Sequence, residues 1–124
     1  MSVDRYIRQH WRRVRELGCI ITDDPVCQIA HCHGGSISEV LGHTWRPGMA
    51  QRQNHWLVIP LRWDLHNGAG IGLDDHPLGV YHWELLHLDQ ISLLEQVSQR
   101  VGYDVFQRAG VERSPHDTAG PGQQ

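Results

Sequence analysis

The sequence predicts a small α+β domain, a mixed centre flanked by an N-terminal and a C-terminal helix. Three observations predict it. Apolar residues recur at spacings of three and four near both ends of the chain, the period of a helix packed on one face. Short β-prone runs interrupted by turn residues follow the first of these segments. The chain has 124 residues, 40% hydrophobic and 20% charged, which suits one globular domain and is too little for two well-packed ones.

The first helix is read over residues 3 to 17, where Val3, Ile7, Trp11, Val14 and Leu17 fall on one stripe. Ser2 suits its start and Gly18 its end. Cys19-Ile20-Ile21-Thr22 and Val26 to His31 read as the two strands of a hairpin around Asp23-Asp24-Pro25. Residues 32 to 55 contain Gly34, Gly35, Gly42, Pro47 and Gly48 and show no period. They read as a long loop, which in a small domain is usually functional.

Trp56 to Ile59 is an apolar run, and Pro60 suits the first turn of a short helix over Leu61 to Leu65, ending near His66-Asn67-Gly68. After a glycine-rich stretch to Gly72, residues 78 to 88 have helical spacing, with Val80, Trp83 and Leu86 in register. Asp89 caps a further helix carrying Ile91, Leu94, Val97 and Val101. Residues 1 to 109 thus form a single domain, and the polar, Gly- and Pro-containing residues 110 to 124 form a disordered tail.

Composition narrows the functional classes. A formal charge of −3 excludes a uniformly basic nucleic-acid coat but not a basic face. No run approaches the ~18 apolar residues of a spanning helix, and the N-terminus has no apolar signal core, so the reading is cytoplasmic with no membrane partner. Cys19, Cys27 and Cys32 are too few and unsuitably spaced for a disulfide framework, and read as partly buried thiols. All 11 basic residues are Arg. Arg5, Arg8, Arg12 and Arg15 form a second stripe on the first helix, either a solvated face or a phosphate-contacting one. Ten histidines are the feature to pursue, because neutral imidazole is a metal ligand and a base near neutral pH. His10, His43, His82, His87 and His116 read as packed or exposed residues, and Trp56 and Trp63 as core.

Of the remaining five histidines, all but His76 fall in an ordered set: Ala30 to Gly35 as AHCHGG, Gly48 to His55 as GMAQRQNH, and Ile59 to His66 as IPLRWDLH. LGCIIT (Leu17 to Thr22) precedes them and the pair Trp83-Glu84 follows. From Trp11 to about Val97 this order resembles the HNH, or ββα-metal, nucleases, and within them the phage Ref (recombination enhancement function) group. The resemblance implies a ββα-metal finger between the flanking helices, and a metal-dependent DNA endonuclease of phage or prophage type that hydrolyses phosphodiester bonds with a histidine general base.

Residue by residue, the resemblance assigns His31 as general base and Arg52 and His55 as supports from the glycine-arginine loop, with His55 in the catalytic set. It assigns His66 as metal ligand, with Asp74 (or His76) as a further candidate. Ala30, Leu65, Arg62 and Thr22 stand where the family has His, His, Cys and Cys. His33, two residues beyond His31, could replace the missing ligand, since alternate strand residues share a face. The implied cofactor is one divalent ion, Mg²⁺, Mn²⁺ or Zn²⁺. The implied partners are DNA, bound by Arg5, Arg8, Arg12, Arg15 and Arg52, and a host recombination protein. The alternative is a catalytically degenerate module of the same fold that binds DNA or protein.

Overall fold

The computed structural model describes residues 4–41 and 55–111. Over these the chain is a small α+β fold in which helices surround one two-stranded antiparallel sheet. Helix α1 (Arg5–Glu16) is capped by Asp4, whose carboxylate accepts from the Ile7 N–H at 2.9 Å; Ser2 lies outside the described residues. Gly18, at φ +79°, takes the left-handed turn that ends it. Ile7, His10 and Val14 are buried along its inner face.

The expected hairpin within residues 19 to 31 does not form. Asp23-Asp24 turns the chain back on Cys19 instead: the Cys19 N–H donates to the Asp24 carbonyl and the Asp23 N–H to the Cys19 carbonyl, both at 2.8 Å. Only the second run is a strand, β1 (Gln28–His31). Its partner is β2 (Val58–Leu61), in antiparallel register with Gln28 opposite Leu61 and His31 opposite Val58. The fully buried Val58–Leu61 run is the better partner because it covers both faces with apolar side chains.

Pro60, expected in a helix, sits inside β2. Its carbonyl points away from β1 and accepts from the Ile20 N–H at 2.9 Å, so its missing donor also faces away from the ladder. The short helix is therefore displaced to α3 (Trp63–His66). Trp63, expected in the core, is 54% exposed.

The expected loop of residues 32 to 55 contains helix α2 (Gly35–Leu41). Ile37 on it is fully buried. Glu84 holds its first turn, accepting from the Ser36 N–H at 3.0 Å and the Ser36 hydroxyl at 2.5 Å. A Cβ on Gly35 would overlap that carboxylate.

Helices α4 (Val80–Leu86) and α5 (Gln90–Val101) fall where the spacing places them, and Asp89 caps α5 through the Ser92 N–H at 2.9 Å. On α4, Trp83 is buried as expected, but Leu86 is 59% exposed while Glu84 is inside. A final turn, α6 (Val105–Arg108), follows Asp104 and was not read from the sequence. Residues 112–124 lie outside the described residues. The core joins α1, both strands, Ile37, Trp83 and the inner faces of α5 and α6. Among the described residues no helix is long and apolar enough to cross a membrane.

One buried histidine belongs to this framework. His10, 1% exposed, has Nε2 3.1 Å from the Trp56 carbonyl and Nδ1 2.6 Å from the Tyr103 hydroxyl. The imidazole N–H therefore donates to the carbonyl and the phenol donates to the ring. Burial pushes His10 down to about 4, the bond to Trp56 opposes this, and the Arg108 and Arg13 charges assist it. The unfolded chain thus binds a proton that the folded chain refuses between about 6.5 and about 4, so stability falls as pH falls through that window. The lost stability is on the order of 3 kcal/mol. Urea midpoints of His10→Gln should change less than those of the wild type between pH 7 and pH 4.5. An equal pH dependence would remove His10 as its source.

Candidate functional site

β1 delivers His31 and, just past its end, His33. Cys32 between them is fully buried, which turns both histidines outward. His31 Nε2 is 3.0 Å from His55 Nδ1. Trp11 of α1 stands edge-on to both rings, at 5.6 Å and 5.4 Å between centroids, and its indole N–H donates to the His55 carbonyl at 2.8 Å. The first helix therefore fixes the height of His55 against the strand.

Burial is the main reason His31 departs from an ordinary imidazole. With the charges of His55 and His66 adding to it, and Asp74 opposing, it is pushed down to about 4. At neutral pH the ring is uncharged, as a proton acceptor must be.

His66, on α3, reaches the same region from the other side. Asp74 Oδ2 lies 3.1 Å from His66 Nε2, and Asp74 Oδ1 lies 2.6 Å from His33 Nε2. One carboxylate thus joins the two histidines. Burial works against ionisation of Asp74, but hydrogen bonds from His33 and His66 and their charge outweigh it and hold the carboxyl well below its usual range. His66 Nδ1 donates to Gln28 Oε1 at 2.8 Å. With Nδ1 carrying that proton, Nε2 is the atom turned toward Asp74.

The glycine-rich stretch explains how Asp74 arrives. The Asp75 carboxylate accepts from the N–H groups of Gly68, Gly70 and Gly72 at 2.7, 3.0 and 2.9 Å. The Leu73 and Asp74 N–H groups then return to the carbonyls of Leu65 and His66. Gly72 passes so close to α3 that a Cβ there would lie 2.5 Å from the His66 carbonyl carbon and oxygen. Gly72→Ala should therefore cost about 1–3 kcal/mol and displace Asp74 from His66. A thermal midpoint equal to the wild type's would show that the loop yields without strain.

His33 is fixed by its backbone. Gln90, fully buried, accepts from the His33 N–H and donates to the His33 carbonyl, both at 2.9 Å. Glu84 holds Gln90 in turn, accepting from its backbone N–H at 2.7 Å.

The structure brings His31, His55, His33, Asp74 and His66 together. It places His76 elsewhere, stacked on His82 at 4.9 Å. Arg8, Arg12 and Arg15 line a groove with Trp11, and an adjoining cleft runs from Trp11 and Arg15 past Gln28 to His31. Arg5 lies instead over the Tyr6 ring. Arg52 is outside the described residues. Arg62, at the family's Cys position, forks onto Asp64 at 2.7 and 3.0 Å. Cys19 and Cys32 are buried, Cys27 is half-buried, and all three are free thiols. Gln28 and Gln90 were not assigned from the sequence, because a side-chain amide on a peptide or ring nitrogen leaves no spacing to read; Glu84 was noted in the Trp83-Glu84 pair but given no role.

Two imidazoles and one carboxylate are a donor set for a first-row divalent cation, and Gln28 on the far nitrogen of His66 is the usual support of a histidine ligand. Among the described residues no group of three or more His, Cys, Asp or Glu side chains is arranged so that it could hold a metal ion as it stands. Here the nitrogens bond the carboxylate directly. Ligand atoms around a tetrahedral ion bound at ~2.1 Å would stand ~3.4 Å apart, so His33 and His66 would open slightly to admit one.

Comparison of the chain with protein families, with curated proteins and with solved structures finds no match in any of the three.

Proposed function

We propose that the chain is a metal-dependent DNA endonuclease of the HNH, or ββα-metal, type. The observation that carries this reading is the order of an antiparallel strand pair running into a short helix, with His31 on the first strand paired to His55, and His66 on the helix paired, like His33, to Asp74. His31 takes a proton from the attacking water, with His55 beside it. His66, Asp74 and His33 would hold one divalent ion, Zn²⁺ or Mn²⁺ in preference to Mg²⁺. Bound there, the ion supplies charge neutralisation at the scissile phosphate and its leaving oxygen. The groove of Arg8, Arg12 and Arg15 leads phosphates toward the His31 cleft. We place the protein in the cytoplasm, where its three thiols stay reduced.

The direct pairing of His33 and His66 with Asp74 favours a second reading, a module that keeps this fold and binds DNA without cutting it. Supercoiled plasmid separates the two. The nuclease converts it to open circles with Mn²⁺, Zn²⁺ or Mg²⁺ and stops in EDTA. A protein that shifts the plasmid on a gel yet nicks it with none of these ions is the binding module.

A further inference from the structure

The charges on α1 are not confined to the groove beside His31. At 100° per residue, Arg13 falls on the flank opposite Arg8 and Arg15. There it meets Arg108 of α6 around a single tyrosine. The Arg108 guanidinium lies 4.4 Å from the centre of the Tyr103 ring and 5.6 Å from that of Trp56, and Arg13 lies 5.8 Å from the Tyr103 ring. Both arginines are exposed. Among the described residues neither has a carboxylate partner. In a chain of net charge −3, two neighbouring cations without an acid are an accumulation that packing alone does not require.

Stacking fixes the face of a guanidinium and leaves its in-plane N–H fork for an oxyanion. The field of the pair reaches the interior, where both charges bear on His10. The ligand that matches is a phosphate.

Its source follows from the position of α1. A helix with its side chains is ~10–12 Å across, close to the ~12 Å width of the B-DNA major groove. Arg15 borders the His31 cleft and Arg8 the groove adjoining it on one flank, and Arg13 and Arg108 stand on the other. We propose that Arg13 and Arg108 form a phosphate site for the DNA strand opposite the one at His31, with α1 lying in the major groove between the two strands. The proposal rests on the DNA-binding reading given above.

Anisotropy of a labelled duplex and of its labelled single strand, each over a salt series, tests it. Arg13→Gln/Arg108→Gln should lower the duplex slope of log K against log salt by about 0.9 for each lost contact and leave the single-strand slope unchanged. Arg8→Gln/Arg15→Gln should lower both slopes. Arg13→Lys/Arg108→Lys keeps the charges without the stacking geometry and should keep the wild-type duplex slope. Arg13→Gln alone should lower the duplex slope by about 0.9 with the single-strand slope unchanged, and it keeps the test decisive if the double Gln variant melts early.

An unchanged duplex slope in the Gln variant, beside a reduced one in Arg8→Gln/Arg15→Gln, overturns the second-strand site and leaves the DNA reading standing. Equal losses on duplex and single strand overturn the strand assignment. Weaker calorimetric binding of inorganic phosphate with an unchanged duplex slope would make it a free-anion site and also overturn the proposal. A wild type that binds neither DNA overturns the proposal together with the function it rests on.

Discussion

Replacing His31 with alanine lowers the rate of plasmid nicking by a factor on the order of 10²–10⁴, while metal and DNA binding stay close to wild type. The direction follows from what this ring does and does not touch. It bonds His55, not Asp74, so its removal takes nothing from the carboxylate that joins His33 and His66. Its charge state is set in advance, because burial keeps it neutral down to about pH 4.

The bond to His55 requires one ring to donate and the other to accept. When His31 Nε2–H donates to His55 Nδ1, the lone pair of His31 is on Nδ1 and can accept a proton. His55→Ala should accordingly slow nicking less than His31→Ala, since it removes the group that orients the base and not the base. Nicking that survives His31→Ala undiminished would assign the proton to another group, His33 being the nearest candidate by sequence.

The second large effect is on the metal. His66→Ala and Asp74→Ala should each weaken Zn²⁺ or Mn²⁺ binding in calorimetry by more than about 100-fold, since even supporting residues around a ligand are commonly worth 10–100-fold. Gln28→Ala should fall within that supporting range. Asp74 is the sharper test because it faces both histidines. It is also ionised well below neutral pH, so its loss removes a full negative charge at any working pH. Wild-type affinity in either variant would show that the ion, if bound, sits elsewhere.

How far the sequence could be read depended on the range of the interaction. Helices α1 and α5 were legible because their periods and stop or start signals lie within one segment: Ile7 and Val14 with Gly18 nearby, Leu94 and Val97 with Asp89; the cap of α1, expected at Ser2, is Asp4. The strand pairing was not, because local propensity favours Cys19–Thr22 beside a turn, whereas the partner of β1 arrives 27 or more residues later at Val58. Short α2 and α6 expose too little pattern to show a period. The site was more legible than the sheet, since motif order singled out His31, His33, His55, His66 and Asp74, and the fold brings these side chains into one region. Gln90 was invisible because its bonds run to the peptide of His33, 57 residues away.

That last bond sets an order of completion. As the chain leaves the ribosome, His31, His33, His66 and Asp74 have all been made before Gln90 appears. Until α5 docks, nothing grips the His33 peptide, and until Glu84 turns inward nothing holds Gln90. A nascent chain arrested short of α5 carries the candidate ligands but lacks the brace that aims one of them. Under the function proposed above, cutting would wait for α5, and fragments that end before it would lack this brace.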